Sequence, residues 1–219
     1  MTKIHVYFMP GLAASSKIFE RIKLPEGTFE LHLLEWSIPN QGESLISYAE
    51  RFSKKITHEN AVLIGISFGG ILVQEMKQFV KPKKVIIISS VKSNIEFPLR
   101  FKIAKTTKAY KLIPTKLFEN IELLTKFTFG SSIIKQRLVL YEKYLSIRDK
   151  RYLDWAIQEI INWDRKEIDK EIIHIHGEND EVFPIKNIKN CISVKDGTHI
   201  MILSKYRWLN ENLPKIIAE

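Results

Sequence analysis

The chain has 219 residues, 45% of them hydrophobic, and a formal net charge of +9 at pH 7, enough for one full core with room for an insertion. No apolar run approaches the length of a membrane span, the opening residues to Met9 lack a signal peptide's apolar core and cleavage site, and the single Cys191 excludes an intramolecular disulfide. A cytoplasmic protein with no membrane insertion is expected.

Residues 1–9 read as a strand, followed by a tight loop of small residues, Pro10 to Ser16, and a short helix from Ser16 to Ile22. Residues 28–36 predict a second strand. Leu45, Tyr48, Ala49, Phe52 and Ile56 fall on one face of a helix over 44–56. The β-branched run 61–66 is a strand covered on both faces, and residues 71–80 carry a helical period that stops before Pro82. Residues 84–90 form a further buried strand. Strand and helix alternating with short links imply a parallel sheet with right-handed crossovers.

The alternation breaks at Val91. From 92 to about 170 four helix-like segments replace it, near 97–112, 115–127, 132–146 and 149–163, parted by Pro114, Gly130 and the 146–149 junction. Their apolar positions, among them Phe97, Phe101, Leu117, Phe118, Ile121, Leu124, Phe127, Phe129, Ile133, Ile134, Tyr152, Trp155 and Trp163, are expected to pack the insertion onto itself and the core. Half of the 34 Lys and Arg lie in this insertion, so the positive charge is local. No helix-turn-helix, zinc-ligand or aromatic RNA-binding pattern accompanies it, so solvated helix faces are expected and no nucleic-acid partner; polyanion binding is the weaker alternative. Residues 171–176 resume the sheet, 190–194 are its last strand, and a helix from about Leu203 is expected to be kinked or split by Pro214.

Chemistry concentrates at three strand ends. Gly65-Ile66-Ser67-Phe68-Gly69 places a serine on a strand-to-helix corner, which forces positive φ at Ser67 and leaves no space for side chains at Gly65 and Gly69. The Phe68 amide opens the helix, with the helix dipole behind it, and supplies half of an oxyanion hole. After residues 171–176 come Glu178, Asp180 and Glu181; after 190–194 come Asp196 and His199. A serine hydroxyl becomes a useful nucleophile when a histidine takes its proton and a carboxylate orients that histidine.

These motifs resemble the α/β-hydrolase fold. The resemblance covers residues 1–91 and 171–219 as a hydrolase core and places 92–170 where that family carries a helical cap, or lid. It implies Ser67 as nucleophile, Asp180 in His176-Gly177-Glu178-Asn179-Asp180 as acid, His199 in Gly197-Thr198-His199 as base, and the Leu12 amide as second oxyanion donor. Pro10-Gly11 stands where the family has His-Gly, so a structural imidazole is replaced and the backbone donor kept. The chain starts at the family's third strand, which implies a doubly wound, mainly parallel sheet of six strands.

Asp180 is preferred over Glu178, Glu181 and Asp196 because an acid too near its strand or too near His199 cannot span the gap. His174 and His176 face one side of a strand but read as packing and hydrogen-bonding residues, and His5, His32 and His58 as ordinary structural or surface residues; no metal is expected. Cys191 reads as an inert core residue inside the last strand. The expected activity is a serine hydrolase acting on a small-molecule carboxylic ester or thioester through an acyl-enzyme, with no cofactor. Alternatives are an acyltransferase or carbon-carbon lyase on the same triad, or a non-catalytic ligand-binding protein.

Overall fold

The computed structural model describes residues 3–116, 143–145 and 147–219. Among them, six strands form one parallel sheet: β1 (Ile4–Met9), β2 (Phe29–Leu33), β3 (Val62–Ile66), β4 (Lys84–Ile88), β5 (Ile173–Gly177) and β6 (Ile192–Val194), in the order β2-β1-β3-β4-β5-β6. The reversal of winding direction falls between β1 and β3, whose pairing runs from Val6↔Val62 to Met9↔Gly65. In a doubly wound sheet that reversal opens a crevice beyond the carboxyl ends of the strands. Ser67 leaves β3 at this place.

Side chains alternate across the sheet as the two-residue strand period requires. Val6, Phe8, Ile64, Ile86 and Ile88 join Leu209, Leu213 and Ile217 on one face. Tyr7, Met9, Leu63 and Ile87 face the other way, among Tyr48, Phe52, Leu72 and Tyr152. Covering those faces are α1 (Leu45–Ser53), α2 (Phe68–Met76) and α6 (Tyr206–Ala218). Ser44 caps α1 by accepting from the Ser47 amide.

Between β4 and β5 lie α3 (Leu99–Thr107), a 3-10 turn at Ala109–Leu112 and α4 (Lys150–Asn162). Lys108, at φ 57°, separates the first two, so the helix expected over 97–112 is interrupted. Asp149 caps α4, its carboxylate accepting from the Arg151 and Tyr152 amides. The helices expected near 115–127 and 132–146, with Leu117, Phe118, Ile121, Leu124, Phe127, Phe129, Ile133 and Ile134, fall almost wholly outside the described residues. Buried Glu75 on α2 binds this segment to the core, accepting from Trp163 Nε1 at 2.9 Å and Arg165 Nε at 3.1 Å.

Two local expectations are corrected. Pro214 sits inside α6, and the C-terminal helical segment is divided instead at Lys205, between α5 (Met201–Ser204) and α6. A proline there removes one intrahelical donor without stopping the helix, because Leu209, Leu213 and Ile217 anchor it on the sheet. Cys191 lies one residue ahead of β6 and is only half-buried, with its thiol pKa raised by that burial. The helix after Ser67 opens at Phe68, as expected for the amide at the corner.

Candidate active site

Ser67 adopts φ 52° and ψ −118°, the strained corner that the flanking glycines permit. A Cβ at Gly65 would overlap the Gly69 carbonyl, and one at Gly69 would overlap the backbone of Met9 and Pro10. The corner is held from outside as well. Ser67 N donates to Ile88 O at 3.0 Å, and Ser90 Oγ donates to Ser67 O at 2.7 Å.

The loops after β5 and β6 meet through a second pair of glycines. A Cβ on Gly177 would overlap the Gly197 carbonyl, and the Asn179 amide donates to that carbonyl at 2.8 Å. This contact carries the acid loop and the histidine loop as one unit. Asp180 is buried, and its Oδ1 accepts from the Val182 and Phe183 amides at 2.8 and 2.9 Å. Its Oδ2 lies 2.9 Å from His199 Nδ1, and His199 Nε2 lies 2.9 Å from Ser67 Oγ. An ionised carboxylate only accepts, so the proton sits on Nδ1 and the Nε2 lone pair faces the serine hydroxyl. Glu178, Glu181 and Asp196, the competing acids, are exposed.

Three supporting residues escaped the sequence reading. Trp36 stacks on Phe68 with ring centroids 4.8 Å apart and donates from Nε1 to Gly11 O at 2.8 Å. That bond fixes the Gly11–Leu12 peptide, whose N–H points away from Trp36 because the peptide is trans. A Cβ on Gly11 would be 3.4 Å from Ser67 Cβ, so this loop lies directly against the serine. Tyr152, buried on α4, accepts from the Ala13 amide at 3.2 Å and steadies the same loop. Arg100 on α3 donates to the carbonyls of Glu181 and Val182, tying the acid loop to the segment between β4 and β5. Only the folded chain reveals these partners, since each is more than 20 residues from the group it holds.

His174 and His176 form a buried chain. His176 Nε2 must donate to Phe183 O, at 2.8 Å, so its Nδ1 accepts from His174 Nε2–H at 3.0 Å. The chain thus braces the loop whose Phe183 amide holds Asp180. Burial is the first cause lowering both imidazole pKa values, His174 well below the ordinary range. Unfolding restores a value near ~6.5, so below that pH the unfolded chain binds more protons and stability falls as pH falls. The free energy of urea unfolding is expected to be lower at pH 5 than at pH 7.5, by up to about 2 kcal/mol for each histidine that stays neutral in the folded state. Replacing His174 with Gln should lessen that difference; a pH-independent value would contradict a neutral buried pair.

Ser67, Asp180 and His199 line a cavity of about 1510 Å³ whose other walls include Leu12, Phe101, Leu153, Ile160, Val182 and Ile202. Solved structures share this arrangement of strands. An enol-lactonase from Burkholderia xenovorans LB400 matches with a TM-score of 0.71 at 10% identity, covering 100% of this chain and 93% of its own. A bromoperoxidase from Bacillus anthracis matches at 0.69 and 16%, with the same coverage. The chain has the α/β-hydrolase fold. An esterase from Exiguobacterium antarcticum, at TM-score 0.65 and 16% identity, again covers 100% of this chain and 93% of its own. No protein-family model matches the sequence, and no curated protein matches it. At such identities the likeness establishes the α/β-hydrolase fold and leaves the chemistry to the site. Among the described residues, no helix is long and apolar enough to cross a membrane.

His5, His32 and His58, which the sequence offers as ordinary structural or surface residues with no motif around them, lie together in the structure. β1 and β2 pair with His5 opposite Glu30 and Tyr7 opposite His32, and the loop before β3 adds His58, so the three rings come together. A parallel register between two strands is what joins them, and no local spacing announces it.

Proposed function

We propose that the protein is a serine hydrolase that cleaves carboxylic esters or thioesters through an acyl-enzyme. The observation that carries this reading is the continuous chain Ser67 Oγ, His199, Asp180, with both hydrogen bonds at 2.9 Å. His199 takes the hydroxyl proton as Ser67 Oγ attacks the carbonyl carbon, and the Leu12 and Phe68 amides receive the developing oxyanion. Collapse of the tetrahedral intermediate breaks the bond to the alcohol or thiol, which leaves with the proton from His199. Water, deprotonated by the same imidazole, then releases the acid and restores Ser67. The fold neighbours named esterase and enol-lactonase support ester chemistry.

Residues 92–170 act in this reading as a cap. They leave the carboxyl end of β4, on the side of the sheet where Ser67 emerges, and return to the amino end of β5. Phe101, Leu153 and Ile160 contribute apolar wall to the cavity. Each methylene buried there contributes about 0.8 kcal/mol, or roughly fourfold in affinity. Specificity constants for p-nitrophenyl esters are therefore expected to rise from acetyl to hexanoyl or octanoyl. A monotonic fall from acetyl onward would refute an apolar acyl site.

A further inference from the structure

We propose that His5, His32 and His58 bind one divalent transition-metal ion of the zinc class, at the end of the sheet remote from Ser67. His5 is the second residue of β1, His32 lies in neighbouring β2 opposite Tyr7, and His58 sits in the loop between α1 and β3. One ring nitrogen from each lies within 4.8 Å of the other two. His5 Nδ1 and His32 Nε2 are 3.0 Å apart, and the His58 ring stacks on His5 with centroids 3.5 Å apart. A tetrahedral ion with nitrogen ligands at ~2.0–2.1 Å holds those nitrogens about 3.3 Å apart. All three side chains are half-buried, so ring rotation can bring the lone pairs together without disturbing the sheet.

The surroundings are those of a ligand shell. The Glu30 carboxylate lies 3.8 Å from His5 Nδ1 and 3.8 Å from His32 Nε2, within reach of a fourth position that is otherwise left to water. Tyr7 Oη is 2.6 Å from His58 Nδ1 and also accepts from the Thr57 amide at 3.3 Å, which fixes the ring from behind. Neutral imidazoles satisfy one another only pairwise, whereas a metal ion accepts three lone pairs at once. Nitrogen ligands with one carboxylate select zinc, nickel, copper or cobalt over calcium or magnesium.

Along β1, His5 precedes Met9 at the active-site end by four residues, or ~13 Å of strand, and Tyr7, the partner of His32, precedes it by two, or ~7 Å. The ion therefore ties β1, β2 and the loop before β3 together and takes no part in chemistry at Ser67, so this inference is independent of the hydrolase reading. Its test uses the full chain with any affinity tag removed. Zinc titrated calorimetrically is expected to bind at one ion per chain and to raise the melting temperature, since it binds the folded state alone. His32→Gln and His58→Ala, checked for folding by circular dichroism, should each weaken zinc binding at least ~10-fold and abolish the thermal shift. Cobalt added to the unaltered chain provides an independent reading, with a visible absorption band of a four-coordinate nitrogen site expected. No stoichiometric binding, affinity unchanged in both variants, or no cobalt band at saturation would overturn the site.

Discussion

Ser67→Ala is expected to lower esterase turnover by about 10³-fold or more while the fold stays intact. The corner at Ser67 is set by the tight approach of Gly65 and Gly69 and by backbone bonds to Ile88 and from Ser90. None of these uses the hydroxyl. Alanine keeps the backbone positions of the Leu12 and Phe68 amides, so only oxyanion stabilisation and substrate binding survive. Circular dichroism and the melting temperature should match the unaltered protein, and near-normal turnover would remove Ser67 from the mechanism.

Asp180→Asn is expected to cost about 10⁴-fold, as wrong-tautomer lesions do. Asparagine can keep an oxygen where Oδ1 accepts from the Val182 and Phe183 amides. Its NH₂ then replaces Oδ2 and donates toward His199 Nδ1, which must give up its proton to accept. The imidazole proton moves to Nε2, and the acceptor for the Ser67 hydroxyl is lost. Glu178→Gln, Glu181→Gln and Asp196→Asn alter exposed carboxylates and are expected to stay within a few-fold of normal turnover. A larger loss in Asp196→Asn than in Asp180→Asn would move the acid to the last loop.

The central strands were legible because they are covered on both faces and so appear as apolar runs, Val62 to Ile66 and Val85 to Ile88 among them. Ser67 was legible for a local reason: the corner, its two glycines and its helix are contiguous. Asp180 and His199 could be placed only as loop residues following strands; the resemblance, with the spacing from the strand and from His199, selected Asp180 among several carboxylates. What escaped was non-local. Trp36 against Gly11, Tyr152 against Ala13 and Arg100 against Val182 depend on where loops pass each other. The His5, His32, His58 cluster depends on the register of β1 and β2. Pro214 does not split its helix because three buried side chains, Leu209, Leu213 and Ile217, hold that helix on the sheet.

A fluorophosphonate probe tests the central claim most directly, because it phosphonylates a serine hydroxyl only when a base activates it. Intact-mass analysis of the folded protein should show one adduct, and peptide mapping should place it on Ser67. His199→Gln should react at least ~10²-fold more slowly, since its side chain cannot act as the general base. An unlabelled folded protein, or an adduct at any other residue, would contradict the account.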